Sequence, residues 1–274
     1  MTDRSPREQA RGGLGLEPEV VSAPAGVVLP FSTLLRIALR TLFIQAGFSP
    51  EAMQTLGLLY ALEPAWPHLY PHGEARAEAM RRHLTPFNTH PYAAAAIVGG
   101  ILFYELRLAN GQGTAEEVAR FKTTLMGPLA ALGDGFFWLS LRPATGAMGV
   151  ALVPLLGVWA PLVFLITYNL VHLATRGWLF VAGLRHGSAV VARLAELKVP
   201  LWSNRLRSLA AAAAGGMGVW LSLRFGALGG TTPWLGAACL ALGGGAVLLV
   251  EKKVPPLAVL YGAAALATLA GVLW

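Results

Sequence analysis

Cysteine, aspartate and charge are all scarce in this chain. The one cysteine, Cys239, excludes an intramolecular disulfide and a cysteine-based zinc cluster. Aspartate occurs at Asp3 near the start and at Asp134 inside an apolar stretch. A dyad of aspartates sharing one proton is therefore excluded. Charged residues make up 13% of the 274 residues, against roughly 25% in a soluble domain. Together with 55% apolar residues and a mean hydropathy of +0.57, this marks a membrane protein. The chain has no Walker loop, and Ser140 and Ser188 lack a Gly-x-Ser-x-Gly setting, so catalysis within it is not expected. His68 and His72 have the spacing of metal ligands, but Pro71 intervenes and the H-E-x-x-H glutamate is missing. No metal or cofactor is expected.

The formal charge is +7, yet the basic residues sit between apolar runs rather than in an aromatic-interleaved stripe. That pattern reads as membrane topology, not as nucleic-acid binding. Residues 1–28 mix charge, Gly and Pro without an apolar core behind a basic start. They read as a flexible cytoplasmic tail rather than a secretory signal peptide, with residues 29–274 as the membrane domain.

The spacing of Leu34, Leu35, Ala38, Leu39, Leu42, Phe43 and Ala46 predicts an amphipathic, interfacial helix from Phe31. Ser49-Pro50-Glu51 predicts a helix start. Glu74–His83 is too charged for lipid. A spanning helix needs about 20 apolar residues. Residues 92–104 are too short alone, while the uncharged run 143–175 is long and interrupted by Pro154, Gly157 and Pro161. Residues 208–223, 225–250 and 254–274 read as ordinary spans. Arg193, Lys198, Arg205, Arg207, Lys252 and Lys253 put the basic loops inside, with the N-terminus cytoplasmic and the C-terminus outside. The fold class expected is an all-α polytopic membrane protein with amphipathic N-terminal helices, broken or re-entrant helical hairpins and about three C-terminal transmembrane helices.

Two polar segments interrupt the apolar pattern. Phe87-Asn88-Thr89-His90-Pro91-Tyr92 runs directly into the apolar residues 93–102, so a helix would start at membrane depth. Its free N–H groups, with Asn88, Thr89 and His90, offer the donors and acceptors that a neutral polyol requires. The plainer reading makes Asn88 and Thr89 helix caps. The second segment, Leu125 to Trp138, contains Gly127-Pro128 and Gly133-Asp134-Gly135. Such breaks are tolerated where backbone lines a cavity or is buried in protein. An ionisable group there costs roughly 2.5–3.5 kcal/mol on insertion scales, which makes Asp134 a functional candidate. The alternative is an ion pair with Arg142 or Arg176.

Gln54–Leu62, Phe87–Tyr92, Leu125–Trp138, Arg142-Pro143 and Lys252–Leu257, in this order, resemble the IID component of mannose/fructose/sorbose-family phosphotransferase systems (PTS). The resemblance implies a membrane subunit of a bacterial cytoplasmic (inner) membrane permease that carries no phosphate. With a IIC partner it would translocate a hexose-type sugar by an elevator-like movement, while separate IIA and IIB proteins relay phosphate to the sugar. The assembly implied is an oligomer of IIC–IID pairs in the lipid bilayer. On this reading Asn88, His90 and Asp134, with Gln45 and Gln54, line or brace the sugar path. Pro91, Gly127, Pro128, Gly133 and Gly135 shape the hairpins. Between 201 and 233 the chain is shorter and richer in Ala and Gly than the family pattern. A rival reading is a regulatory or scaffold membrane protein that keeps the IID fold without sugar flux and binds PTS proteins through its tail and Glu74–His83.

Overall fold

The computed structural model describes residues 26–229 continuously and scattered positions between 241 and 268. Contacts divide the chain into two compact units, Met1–Ala210 and Ala211–Trp274. The described residues form helices and turns, with two isolated bridges, Ser49 to Met53 and Met53 to Phe87.

Helix α1 (Phe31–Arg40) forms as the periodicity predicts. The predicted apolar face, however, is divided. Leu34 and Ala38 pack on the core beside the buried Thr33 and Ile37, while Leu35, Leu39, Leu42 and Phe43 remain exposed, with Phe43 edge-on to Tyr60 of α2 (Thr55–Leu62). The second helix does not begin at Pro50. Met53 lies in the left-handed region (φ 56°) and bridges back to Ser49, so the chain turns first and α2 starts at Thr55. Helix α3 (Gly73–Arg82) is the polar segment, and it buries Ala79.

The core of the first unit is a helical hairpin packed on one long helix. Helix α4 (Ala94–Ala109) is buried along most of its length. Helix α5 (Ala115–Gly133) returns alongside it. A capping box starts α5: Thr114 Oγ1 accepts from the Glu117 N–H, and the Glu117 carboxylate accepts from the Thr114 N–H. Val118, Phe121, Leu125 and Leu129 then face the core at helical spacing.

The expected breaks in the second polar segment take another form. Gly127-Pro128 stays inside α5, and Gly133-Asp134-Gly135 leads into a π-helical stretch, Asp134–Leu141, that continues into α6 (Arg142–Ala151). The chain does not turn back at either motif. Pro143 lacks the N–H that an α-helix would bond to Leu139, which favours the wider winding before it. The Ser140 hydroxyl spans that winding by donating to the Gly135 carbonyl at 2.7 Å. The hairpin turn lies instead between α4 and α5.

Residues 153–196 are the one described helical stretch long and apolar enough to cross a membrane. Gly157 (φ 54°) interrupts it as expected. Helix α7 (Ala160–His186) then runs through Arg176, where the charge-bounded run 143–175 was expected to end, because the guanidinium is buried against acceptors described below. At about 1.5 Å per residue, its 27 residues reach about 40 Å. Helices α8 (Val190–Glu196) and α9 (Val199–Gly229) follow. The expected span 208–223 lies within α9. Most of 225–250 and 254–274 lies outside the described residues, although helical positions occur on both sides of a turn at Lys252-Lys253.

Helices α4 and α7 meet backbone to backbone. A Cβ placed on Gly99 would overlap the Phe180 carbonyl, and one on Gly183 would overlap the Ala96 carbonyl. Small residues on both helices permit this approach. The far end of α4 buries a carboxylate. Glu105 is fully buried and accepts from the Tyr70 hydroxyl and from His83 Nε2 at 2.8 Å, with Arg82 Nε at 3.7 Å. His83 stacks on Trp66 at 5.6 Å. Burial pushes this imidazole below its ordinary pKa despite the carboxylate.

Because the side chain has no space at Gly183, Gly183→Leu is expected to force α4 and α7 apart. The cost is about 1–3 kcal/mol or more, seen as a lower unfolding temperature in detergent. Gly215→Leu on α9, with open space around its Cα, is expected to change that temperature little.

Candidate functional site

The hairpin brings the two polar segments to one end. Pro91, Tyr92 and Ala93 form the turn that opens α4, closed by the Ala94 N–H donating to the His90 carbonyl at 2.9 Å. No side chain caps this helix, so the capping reading of Asn88 and Thr89 does not describe what they do. At the end of α5, a Cβ on Gly133 would overlap the His90 side chain. A residue without a side chain is required for His90 to reach the helix.

His90 is 1% exposed and sits among aromatic rings. Phe137 lies parallel to it at 5.0 Å and 13°, Tyr92 edge-on at 5.0 Å, and Trp138 tilted at 5.0 Å. Phe137 comes from the π-helical stretch, so that irregular winding supplies the stacking partner. The Tyr92 backbone N–H donates to His90 Nδ1 at 3.2 Å, which leaves the proton of the neutral ring on Nε2. That nitrogen is buried without a hydrogen-bond partner among the described residues.

Gln54 holds the motif from behind. Its side-chain amide donates to the Thr89 carbonyl at 2.8 Å and accepts from the Thr89 N–H at 3.0 Å, while its own N–H donates to the Phe87 carbonyl at 2.8 Å. Both ends of the Gln54 amide are taken by the Thr89 backbone, so it braces the motif. Gln45 is exposed in the turn after α1, and Asn88 is exposed within the motif. Asp134 is also exposed, one residue past the contact between Gly133 and His90.

The ion pair with Arg142 or Arg176, the alternative reading of Asp134, is not formed. Arg142 lies over the Trp138 ring at 5.7 Å. Arg176 is 6% exposed and donates to the Thr41 carbonyl and, at 3.2 Å, to the Pro91 carbonyl. Gly127 and Pro128 are exposed on α5, well before the cluster, and Gly135 contributes its carbonyl to Ser140.

Sequence reasoning missed the contribution of α7. Tyr168, His172 and Arg176 recur every four residues and face the first polar segment. Tyr92 stacks on His172 at 4.2 Å and 20°, its hydroxyl lies 3.1 Å from that of Tyr168, and its ring lies 5.1 Å from the Arg176 guanidinium. The four-residue spacing of polar side chains in an apolar run was the available signal.

A family model for the "PTS system mannose/fructose/sorbose family IID component" matches residues 29–220. The chain belongs to this IID family. The mannose-specific EIID component of Escherichia coli (strain K12) is 40% identical over 162 residues, covering 58% of this chain and 57% of that protein. The fructose permease IID component of Bacillus subtilis (strain 168) is 34% identical over 177 residues, covering 64% and 62%. The aligned region thus spans less than two thirds of either relative. Among solved structures, a chain from the complex of mannose transporter ManYZ with microcin E492 matches with a TM-score of 0.56 and 29% identity, over 89% of this chain and 97% of that one. A structure described as a membrane protein matches with a TM-score of 0.71 and 30% identity, with the same coverage. The IID family match takes in both polar segments and the α7 stripe, ending within α9.

Removing the Arg176 guanidinium leaves the buried Pro91 carbonyl without a donor among the described residues and the Thr41 carbonyl with the Ile44 N–H at 3.3 Å alone. Arg176→Met is expected to destabilise this IID domain by about 1–3 kcal/mol, chiefly for the Pro91 carbonyl left unpaired. Arg176→Lys, which keeps the charge but not the fork, is expected to recover part of that loss. Thermal unfolding of the purified variants measures both.

Proposed function

We propose that this chain is the IID membrane subunit of a mannose-family PTS permease in a bacterial inner membrane. It pairs with a IIC subunit to pass a hexose-type sugar across the bilayer, and separate IIA and IIB proteins phosphorylate that sugar. The observation that carries this reading is the convergence of the two polar segments at one end of the hairpin around a buried His90 Nε2 that has no hydrogen-bond partner among the described residues. Family membership supports the same reading, as do relatives whose names refer to mannose and fructose. The N-terminus faces the cytoplasm and the C-terminus faces out, with the complex an oligomer of IIC–IID pairs.

The site chemistry suits a polyol. His90 offers a fixed donor, Asp134 offers a carboxylate with no ion-pair partner among the described residues, and Asn88 adds an amide at the edge. The surrounding rings present apolar faces to C–H groups. Gln54, Pro91 and Gly133 fix the backbone that carries these groups, and phosphoryl chemistry falls to the partners.

Purification from the native membrane is expected to recover a IIC-like subunit in near one-to-one amounts. Asp134→Asn and His90→Phe are each expected to reduce sugar uptake about tenfold or more with IIC still bound, since a substrate hydrogen bond to a charged or buried group is worth roughly 1.5–3 kcal/mol. Unchanged uptake in Asp134→Asn would make that carboxylate structural. A stable chain recovered without IIC would point instead to a regulatory protein on the IID fold.

A further inference from the structure

Where α7 ends and α8 begins, the first unit contains a cavity of about 360 Å³ that the sugar path does not use. Its polar wall is Arg185, His186, Arg193 and Glu196. Its apolar wall includes Trp178, Val181 and Leu197, which are 40%, 41% and 46% exposed. Arg185 and His186 are the last residues of α7, so the cavity lies where the apolar helix gives way to charge. Tryptophan one to two turns before such a point is the usual marker of the bilayer interface.

The charges favour one kind of occupant. Arg193 is paired with Glu196 at 3.3 Å, whereas Arg185 has no ion-pair partner among the described residues. Two guanidiniums and one carboxylate leave one net positive charge, which matches the single negative charge of a phosphodiester. An arginine fork suits phosphate oxygens. The exposed Trp178, Val181 and Leu197 give apolar surface beside that charge, a combination that acyl chains satisfy and a dissolved anion does not. Basic clusters beside membrane helices bind anionic headgroups for the same electrostatic reason.

We propose that this cavity binds the phosphodiester headgroup of an anionic phospholipid, with its acyl chains along the Trp178–Val181 side of α7. The proposal rests on α7 lying in the membrane, as in the function proposed above.

The test uses the full chain, with whatever subunit accompanies it, reconstituted in nanodiscs of phosphatidylglycerol mixed with phosphatidylcholine. Lipid retained after detergent extraction is counted by native mass spectrometry. Preferential retention of phosphatidylglycerol is expected, reduced about fivefold in Arg185→Gln and more in Arg185→Glu. Equal retention of the two lipids, or a preference unchanged in Arg185→Glu, would overturn the site. Displacement of phosphatidylglycerol by millimolar inorganic phosphate would overturn the lipid assignment in favour of a free-anion site. Retention is read without sugar, so lost uptake with retained lipid counts against the transport reading alone.

Discussion

A guanidinium on an apolar helix must find acceptors within its own reach, and Arg176 finds them in two distant backbone carbonyls. Thr41 lies 135 residues away in sequence and Pro91 lies 85 away. Satisfying one cation therefore fixes the end of the N-terminal helical segment and the start of α4 against the same point of α7. It also sets the register of α7, because a shift by one residue would rotate Tyr168 and His172 away from Tyr92 together with the arginine. The first polar segment is held in front by this stripe and behind by the Gln54 amide.

That reach depends on how closely the helices approach. Gly99 and Gly183 let α4 and α7 touch through their backbones, and the short interaxial distance brings the arginine to the Pro91 carbonyl. The opposite charge is buried independently, at the other end of α4. Glu105 takes its hydrogen bonds from Tyr70 and His83, with Arg82 nearby, rather than from Arg176. Each buried charge thus has local dipoles or donors of its own. Neither pays the penalty of an uncompensated ion, and the hairpin is fixed at both ends without an ion pair across the middle.

Much of the architecture was legible in residues whose local rules are strong. The amphipathic start at Phe31, the charged helix after Gly73 and the break at Gly157 follow from periodicity, composition and a positive φ. The family motifs also imply that the two polar segments come together, and Gly133 lies against the His90 side chain. Illegible were features decided by tertiary acceptors. Charge counting ended a run at Arg176 because sequence alone cannot show two carbonyls waiting for it. Glu105 had served only to end a run that was too short. Gly-Pro and Gly-Asp-Gly suggested turns, but the chain stays helical through both, and the irregularity survives as π winding before Pro143.

That winding bears directly on the site. π-helical segments are rare and concentrate at functional positions, and this one places Phe137 parallel to His90 while leaving Asp134 exposed at its start. A phenyl ring at position 90 would stack as well, but it would leave the Tyr92 N–H without its acceptor. The imidazole instead keeps its proton on Nε2, held there by the Tyr92 N–H, at the cost of about 1–3 kcal/mol for a buried unpaired group. The return is the bond from the Tyr92 N–H, which involves Nδ1 and leaves Nε2 unpaired among the described residues. A hydroxyl acceptor arriving from outside the chain would offset that cost, and donating to one is the role proposed for this nitrogen.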